Sequence, residues 1–187
     1  MIPTSVYIAC SLDGYIADRD NSLEWLFSIP NPQGGDFGYA QFIAGVDGIL
    51  MGRRTFAFVE PLEQWPYAKP VFVASTTLDR VPPRLESKVT LVSGTPADLL
   101  AAVEQAGVGS VYLDGGTLIT KFLEADLVDR MTVTRTSQLL GDGYPLFGKM
   151  ARGSIWKRVE VKELNADLVQ TVYERDRRYS AGTICYG

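Results

Sequence analysis

Three stretches of this 187-residue chain place glycine and polar or charged residues directly after a β-branched and aromatic run. In Ile49-Leu-Met-Gly52-Arg53-Arg54-Thr55-Phe56 the glycine lets a ligand approach the backbone, a new helix offers unpaired N–H groups, and two arginines add positive charge. That combination could hold a phosphate. In Val111-Tyr-Leu-Asp114-Gly115-Gly116-Thr117-Leu118 a strand breaks at paired glycines and Thr117 opens a helix, whose dipole adds about 0.3 to 1 kcal/mol toward an anion. The third, Ala9-Cys10-Ser11-Leu12-Asp13-Gly14-Tyr15-Ile16-Ala17, turns at Asp-Gly and returns to apolar residues, so it could fold over a flat ring. Each also has a purely architectural reading: a strand end with solvated arginines, a packing turn, and a common turn dipeptide.

Composition narrows the chemistry. There is no histidine, which removes the usual general base, the commonest metal ligand and any Ser-His-Asp triad. Acid-base work falls to carboxylates, Tyr, Lys, Cys or water, and no metal is expected. A net charge of -4 without a long basic run argues against nucleic acid. No stretch approaches the ~20 apolar residues of a membrane span, and Met1-Ile-Pro-Thr-Ser lacks the regions of a signal peptide. Cys10 and Cys185 lie far apart and suggest no disulfide framework. A soluble, cytoplasmic protein is the expectation.

The elements that must position these stretches alternate strand and helix, the pattern of an α/β domain. Strands are predicted at 6–10, 48–51, 70–74, 89–92, 110–113, 130–135, 156–163 and 168–174, and helices at 37–44, 53–58, 96–106 and 117–125. The helix after Thr95 is the clearest, with Thr95 as cap, Pro96 at the first position, Leu99, Leu100 and Val103 on one face and Gly107 as terminator. Helical crossovers predict a sheet that is parallel at its middle. The last two strands alternate polar and apolar residues across a short turn and predict an antiparallel hairpin with one wet face. One domain over 1–178 and a tail over 179–187 are expected.

In order and spacing, the three stretches resemble the dihydrofolate-reductase-like family. They are most similar to its branch related to the C-terminal reductase domain of the bifunctional deaminase-reductase of bacterial riboflavin biosynthesis. The resemblance runs through Ser11-Leu-Asp-Gly-Tyr-Ile-Ala17, Met51-Gly-Arg-Arg-Thr55, the strand to Ser75, Asp114-Gly-Gly-Thr117, Leu127-Val-Asp129, Leu140-Gly-Asp-Gly-Tyr-Pro-Leu-Phe147 and the closing hairpin. It implies an α/β fold with a mixed, mainly parallel sheet of about eight strands. It implies dinucleotide phosphates held by Gly52, Arg53, Arg54 and Thr55 on one side and Gly115, Gly116 and Thr117 on the other, with Ala9, Ile16 and Ala17 framing the nicotinamide. It also implies a cis peptide in the glycine pair and a homodimer.

Where relatives carry an arginine for the adenosine 2′-phosphate, this chain reads Ala74-Ser75-Thr76-Thr77, so the hydroxyls of Ser75 and Thr76, with charge from Arg54 or Arg80, are the expected contacts. NADPH is the expected cofactor, with NADH the alternative. Asp36 stands at about the spacing of the carboxylate that assists protonation in folate-reducing members and is the candidate acid. Asp36 is equally a helix N-cap by its surroundings. The position of the arginine that holds the folate carboxylate in that family falls near Ala68, so this chain lacks it and has only Lys69 adjacent, without arginine's bidentate fork. Tyr39, Phe42 and Ile43 read as core or as cleft wall. The expected function is an NAD(P)H-dependent reductase of a pterin- or pyrimidine-like heterocycle. Dihydrofolate reduction proper and nucleotide binding without turnover are the alternatives. A riboflavin-pathway substrate would need a basic pocket for a ribose phosphate, and no run announces one.

Overall fold

Three short strands are buried nearly end to end, and such strands are stable only inside a sheet with both faces covered. The computed structural model describes residues 1–32, 34–151 and 153–178, so the expected tail 179–187 with Cys185 lies outside the described residues. In chain order the elements are β1 (Thr4–Cys10), β2 (Tyr15–Ala17), α1 (Glu24–Phe27), α2 (Tyr39–Ala44), β3 (Gly48–Gly52), α3 (Arg53–Val59), β4 (Val71–Ala74) and a 3-10 turn (Pro83–Leu85). They continue with β5 (Val89–Val92), α4 (Pro96–Gln105), β6 (Val111–Asp114), α5 (Gly116–Glu124), β7 (Arg130–Thr136), β8 (Tyr144–Pro145), β9 (Trp156–Asn165) and β10 (Leu168–Arg175).

Eight strands form one sheet in the order β5-β4-β3-β6-β1-β7-β10-β9. The six strands from β5 to β7 run parallel, and β10 joins β7 and β9 in antiparallel register. This is an α/β fold with a mixed, mostly parallel sheet, and β2 and β8 form a separate two-stranded antiparallel ribbon. Alternation along the strands splits the core in two. Val6, Leu50, Val111 and Leu113 face Leu100 and Val103 of α4 and Ile119 and Phe122 of α5. Ile49, Met51, Val73 and Tyr112 face Phe56 and Val59 of α3, with Tyr39, Phe42 and Ile43 of α2 packed alongside. Those three residues of α2 are half-buried against the core and are not on the cleft wall.

All eight main strands lie where the sequence puts them, within about two residues at each end. The capping box of α4 forms, with the Thr95 hydroxyl and Asp98 carboxylate bonded reciprocally to each other's backbone N–H. Three expectations change. Helix α2 starts two residues late because Phe37 and Gly38 take φ of 57° and 94°. Strand β9, at the sheet edge, is exposed on both faces, Val159 and Val161 included, rather than on one. The described peptide bonds are all trans, the Gly115–Gly116 bond among them. No described helix is long and apolar enough to cross a membrane.

Candidate active-site cleft

The carboxyl ends of β1, β3, β4 and β6 lie on one edge of the sheet, at the point where strand order reverses around β6, and such crevices are where open α/β sheets bind ligands. A cleft of about 1010 Å³ opens there. That is the upper end of the usual range for ligand pockets, with room for more than one drug-sized ligand. It brings together Ala9, Ile16 and Ala17 from the first turn, Gly52, Arg53, Arg54 and Thr55 from the β3–α3 junction, Ser75 and Thr76 after β4, and Gly115, Gly116 and Thr117 from the β6–α5 junction. Asp36, Lys69 and Arg80 are not on its wall.

Backbone approach explains the glycine pair. A Cβ on Gly115 would lie 2.5 Å from the Thr55 hydroxyl oxygen and 3.9 Å from the Gly52 nitrogen, so the two phosphate-type junctions touch. Gly115 also takes φ 99° and ψ 127°, a backbone that side-chain-bearing residues rarely adopt. A Cβ on Gly116 would meet the Pro145 carbonyl at 2.8 Å and the Ile16 side chain at 2.9 Å, which presses the third stretch and the β2–β8 ribbon onto the same spot. Helix α5 begins there without a side-chain cap. Its first N–H groups are left to water or a ligand. No described carboxylate pairs with Arg53 or Arg54, and the Arg54 guanidinium lies 5.3 Å from the ring centre of Tyr144, a cation–π distance. The Ser75 hydroxyl oxygen accepts bonds from the N–H groups of Thr77 and Leu78, which leaves its proton free to donate into the cleft.

The first turn is held by its own carboxylate. Asp13 accepts bonds from the Ser11 hydroxyl at 2.6 Å and from the backbone N–H groups of Gly141 at 2.7 Å and Leu140 at 3.2 Å. The Ser11 bond first, and then the backbone bonds, lower its pKa to about 2. The segment 138–145 is thereby tied to the β1–β2 turn, and Tyr144 and Pro145 are carried to the cleft wall.

The two candidate carboxylates differ sharply. Asp36 is exposed, and its oxygens accept bonds from Ala40 N–H at 2.7 Å and Gly38 N–H at 2.9 Å. Those bonds, in the turn before α2, hold its pKa below the ordinary carboxylate value, so at neutral pH it is ionised; the N-cap of α2 is Gly38. Asp36 is also off the cleft wall, so the structure does not bring this expected acid to the site. The carboxylate on the cleft wall is Asp114, the last residue of β6, whose pKa burial raises to about 6 despite the Tyr112 hydroxyl and the Gly115 N–H beside it. Burial and then the Asp114 charge push the Tyr39 phenol up to about 12 and raise Tyr67 and Tyr112 as well. The sequence carries a signal for Asp114 that spacing to known acids misses: it ends a strand that is otherwise buried and apolar, where an acid is costly unless used.

Behind this wall the phenols are anchored. Tyr112 donates to the Tyr7 carbonyl at 2.9 Å, and Tyr7 donates to the Phe37 carbonyl at 2.7 Å while accepting from the Gln170 amide at 3.0 Å.

Comparison with known proteins places this geometry. A family model described as the RibD C-terminal domain matches residues 5–170. The uncharacterized protein YwjB of Bacillus subtilis (strain 168) is 32% identical over 150 residues, covering 79% of this chain and 83% of YwjB. A crystal structure from Shewanella sp. PV-4, of a protein provisionally named for riboflavin biosynthesis, is 43% identical with a TM-score of 0.89, covering 94% of this chain and 100% of that one. Dihydrofolate reductase from Enterococcus faecalis, solved in complex with NADP(H), shares the fold at a TM-score of 0.63 and 14% identity, with 93% of this chain and 96% of that one covered.

Proposed function

Since the chain belongs to the RibD C-terminal domain family, we propose that the cleft holds a nicotinamide dinucleotide beside a small heterocycle and that the protein is a reductase. The observation that carries this reading is the contact of the two glycine junctions at Gly115, Thr55 and Gly52, with Arg53 and Arg54, neither in an ion pair among the described residues, on the same cleft wall. The residues fit the group. Uncapped N–H donors, two guanidinium groups and a backbone surface without side chains form a cradle for a pyrophosphate.

In this reading Ala9, Ile16 and Ala17 frame the nicotinamide, and Ser75 and Thr76 meet the adenosine side, with NADPH the preferred cofactor. A dinucleotide held there would supply a hydride to the carbon of a C=N bond. The nitrogen of that bond, left with the former π pair, needs one proton. Asp114 is the group to hold it, because its raised pKa keeps a protonated fraction near neutral pH and its place on the wall faces the ligand space. The rest of the catalysis is orientation by a preformed cleft.

The test is a titration with NADPH and then NADH, followed by nicotinamide fluorescence. NADPH should bind at least tenfold more tightly than NADH, and Arg54→Ala should weaken NADPH about tenfold, or ~1.4 kcal/mol. If neither nucleotide binds at millimolar concentration the reading fails. Tight binding without turnover on any pterin or pyrimidine would leave a nucleotide-binding protein.

A further inference from the structure

Arg53 and Arg54 both line the cleft, and of the two Arg54 has an aromatic partner among the described residues, its guanidinium carbon lying over the Tyr144 ring. That ring belongs neither to α3 nor to β3. It is carried by the segment 140–148, which is fastened along its length. The first residues give backbone N–H groups to Asp13 from the β1–β2 turn. Tyr144 itself pairs with Ala17 in the β2–β8 ribbon, and a Cβ on Gly143 would collide with the Ala17 carbonyl oxygen, so the chain enters the ribbon through a contact that glycine permits. Beyond the ring, the Leu146 N–H donates to the Gly14 carbonyl at 2.8 Å, the Leu146 side chain is buried, and the Gly148 N–H donates to the Thr120 hydroxyl of α5 at 2.9 Å. Tyr144 is thus a half-buried ring on a fixed frame, whereas Arg54 is a long, exposed side chain.

A guanidinium has a flat face and an edge of N–H donors. A carboxylate beside it would engage the edge and take the donors that a phosphate needs. An aromatic ring engages the face instead. It leaves the edge free and takes up in advance part of the side-chain freedom that a phosphate contact would otherwise remove.

We propose that Tyr144 is a positioning residue: its ring, held by the β2–β8 ribbon, sets the Arg54 guanidinium with its N–H edge toward the phosphates of a ligand in the cleft. The proposal rests on the reductase reading and deepens it, because it names what completes the phosphate site of that reading. Tyr144 acts through Arg54 and not on the nucleotide. The ribbon is thereby part of the binding machinery although it lies outside the main sheet.

A double-mutant cycle on NADPH binding, followed by nicotinamide fluorescence, tests it. Tyr144→Leu should weaken NADPH about three- to fivefold in the native background, and less than about 1.5-fold where Arg54 is already replaced in Arg54→Ala. Tyr144→Phe keeps the ring without the hydroxyl and should bind NADPH within about twofold of the native chain. An equal loss in both backgrounds overturns the proposal, because the ring would then act on the nucleotide directly or through the segment that carries it. A Tyr144→Phe chain as weak as Tyr144→Leu overturns it too. The second measurement needs no variant and no nucleotide: NMR of the native chain should show NOEs between the Tyr144 ring protons and the Arg54 side-chain protons at Cδ or Nε, and their absence overturns the proposal. Failure of the native chain to bind NADPH counts against the reductase reading. The cycle is then read with inorganic pyrophosphate by calorimetry, where equal losses in both backgrounds, or no binding at all, overturn the proposal as well.

Discussion

Asp114 illustrates how a single side chain can be costly to the fold and useful to the site. Its folded pKa, about 6, stands above the ordinary carboxylate value of 3.8, chiefly through burial. The folded state therefore disfavours the ionised form. The penalty is complete above pH 6, fades as pH falls from about 6 toward 4, and is absent below the unfolded value. Two pKa units correspond to about 3 kcal/mol as an upper figure. Asp114→Asn keeps the shape and an acceptor for the Gly115 N–H but never carries the charge. It should be more stable than the native chain at pH 8, by up to roughly 3 kcal/mol, with the advantage gone by pH 4. Urea unfolding at pH 8, 6 and 4 measures this. An advantage independent of pH, or a less stable variant at pH 8, would show that burial does not strain this carboxylate.

At the scale of elements, the turn between β1 and β2 and the segment leading to β8 act as one unit because Asp13 accepts from both. Its pKa of about 2 means that the bonds contribute above the unfolded value and are lost as pH falls through about 2. Asp13→Ala should leave the main sheet intact and raise hydrogen exchange at the amides of Leu140 and Gly141, read by NMR at neutral pH. Protection retained at both amides would mean that the segment is held by the ribbon alone.

Elements of this kind also mark where the sequence ceases to be legible. The eight main strands announce themselves by runs rich in β-branched and other apolar residues, and α4 by a cap and a face. The β2–β8 ribbon, three residues against two with Pro145 in it, and the four-residue α1 are too short to show a period. Helix α2 hides its true start because positive φ at Phe37 is set by tertiary bonds, the Phe37 carbonyl accepting from Tyr7 and from Gln170, 133 residues away. The same limit separates Asp36 from Asp114. Spacing suggested an acid at the helix start, but which of two aspartates is buried depends on how β6 sits between its neighbours. The glycine junctions were legible because their chemistry is local, and their mutual contact was not.

The whole molecule converts chain order into a site through one reversal. The chain builds β3, β4 and β5 outward from one side of β1, returns to insert β6 between β3 and β1, and then lays β7, β10 and β9 on the far side. Both phosphate-type junctions thus end adjacent strands at the centre of the sheet, while β9 forms a solvated edge five places from β3. Local opening should follow the same gradient, because edge strands with exposed side chains open without unfolding the core. A ligand bound across β3 and β6 stabilises only those openings that break its site. At about 100 times its dissociation constant it adds roughly 2.7 kcal/mol, a hundredfold slowing for openings of that class. Saturating NADPH should therefore slow exchange in peptides spanning 48–55 and 111–118 by tenfold or more, and leave 156–165 within about twofold. Hydrogen-exchange mass spectrometry distinguishes the outcomes. Slowing confined to the centre places the nucleotide at the reversal, whereas an effect concentrated on β9 and β10 would put the binding surface on the hairpin and away from the glycine junctions.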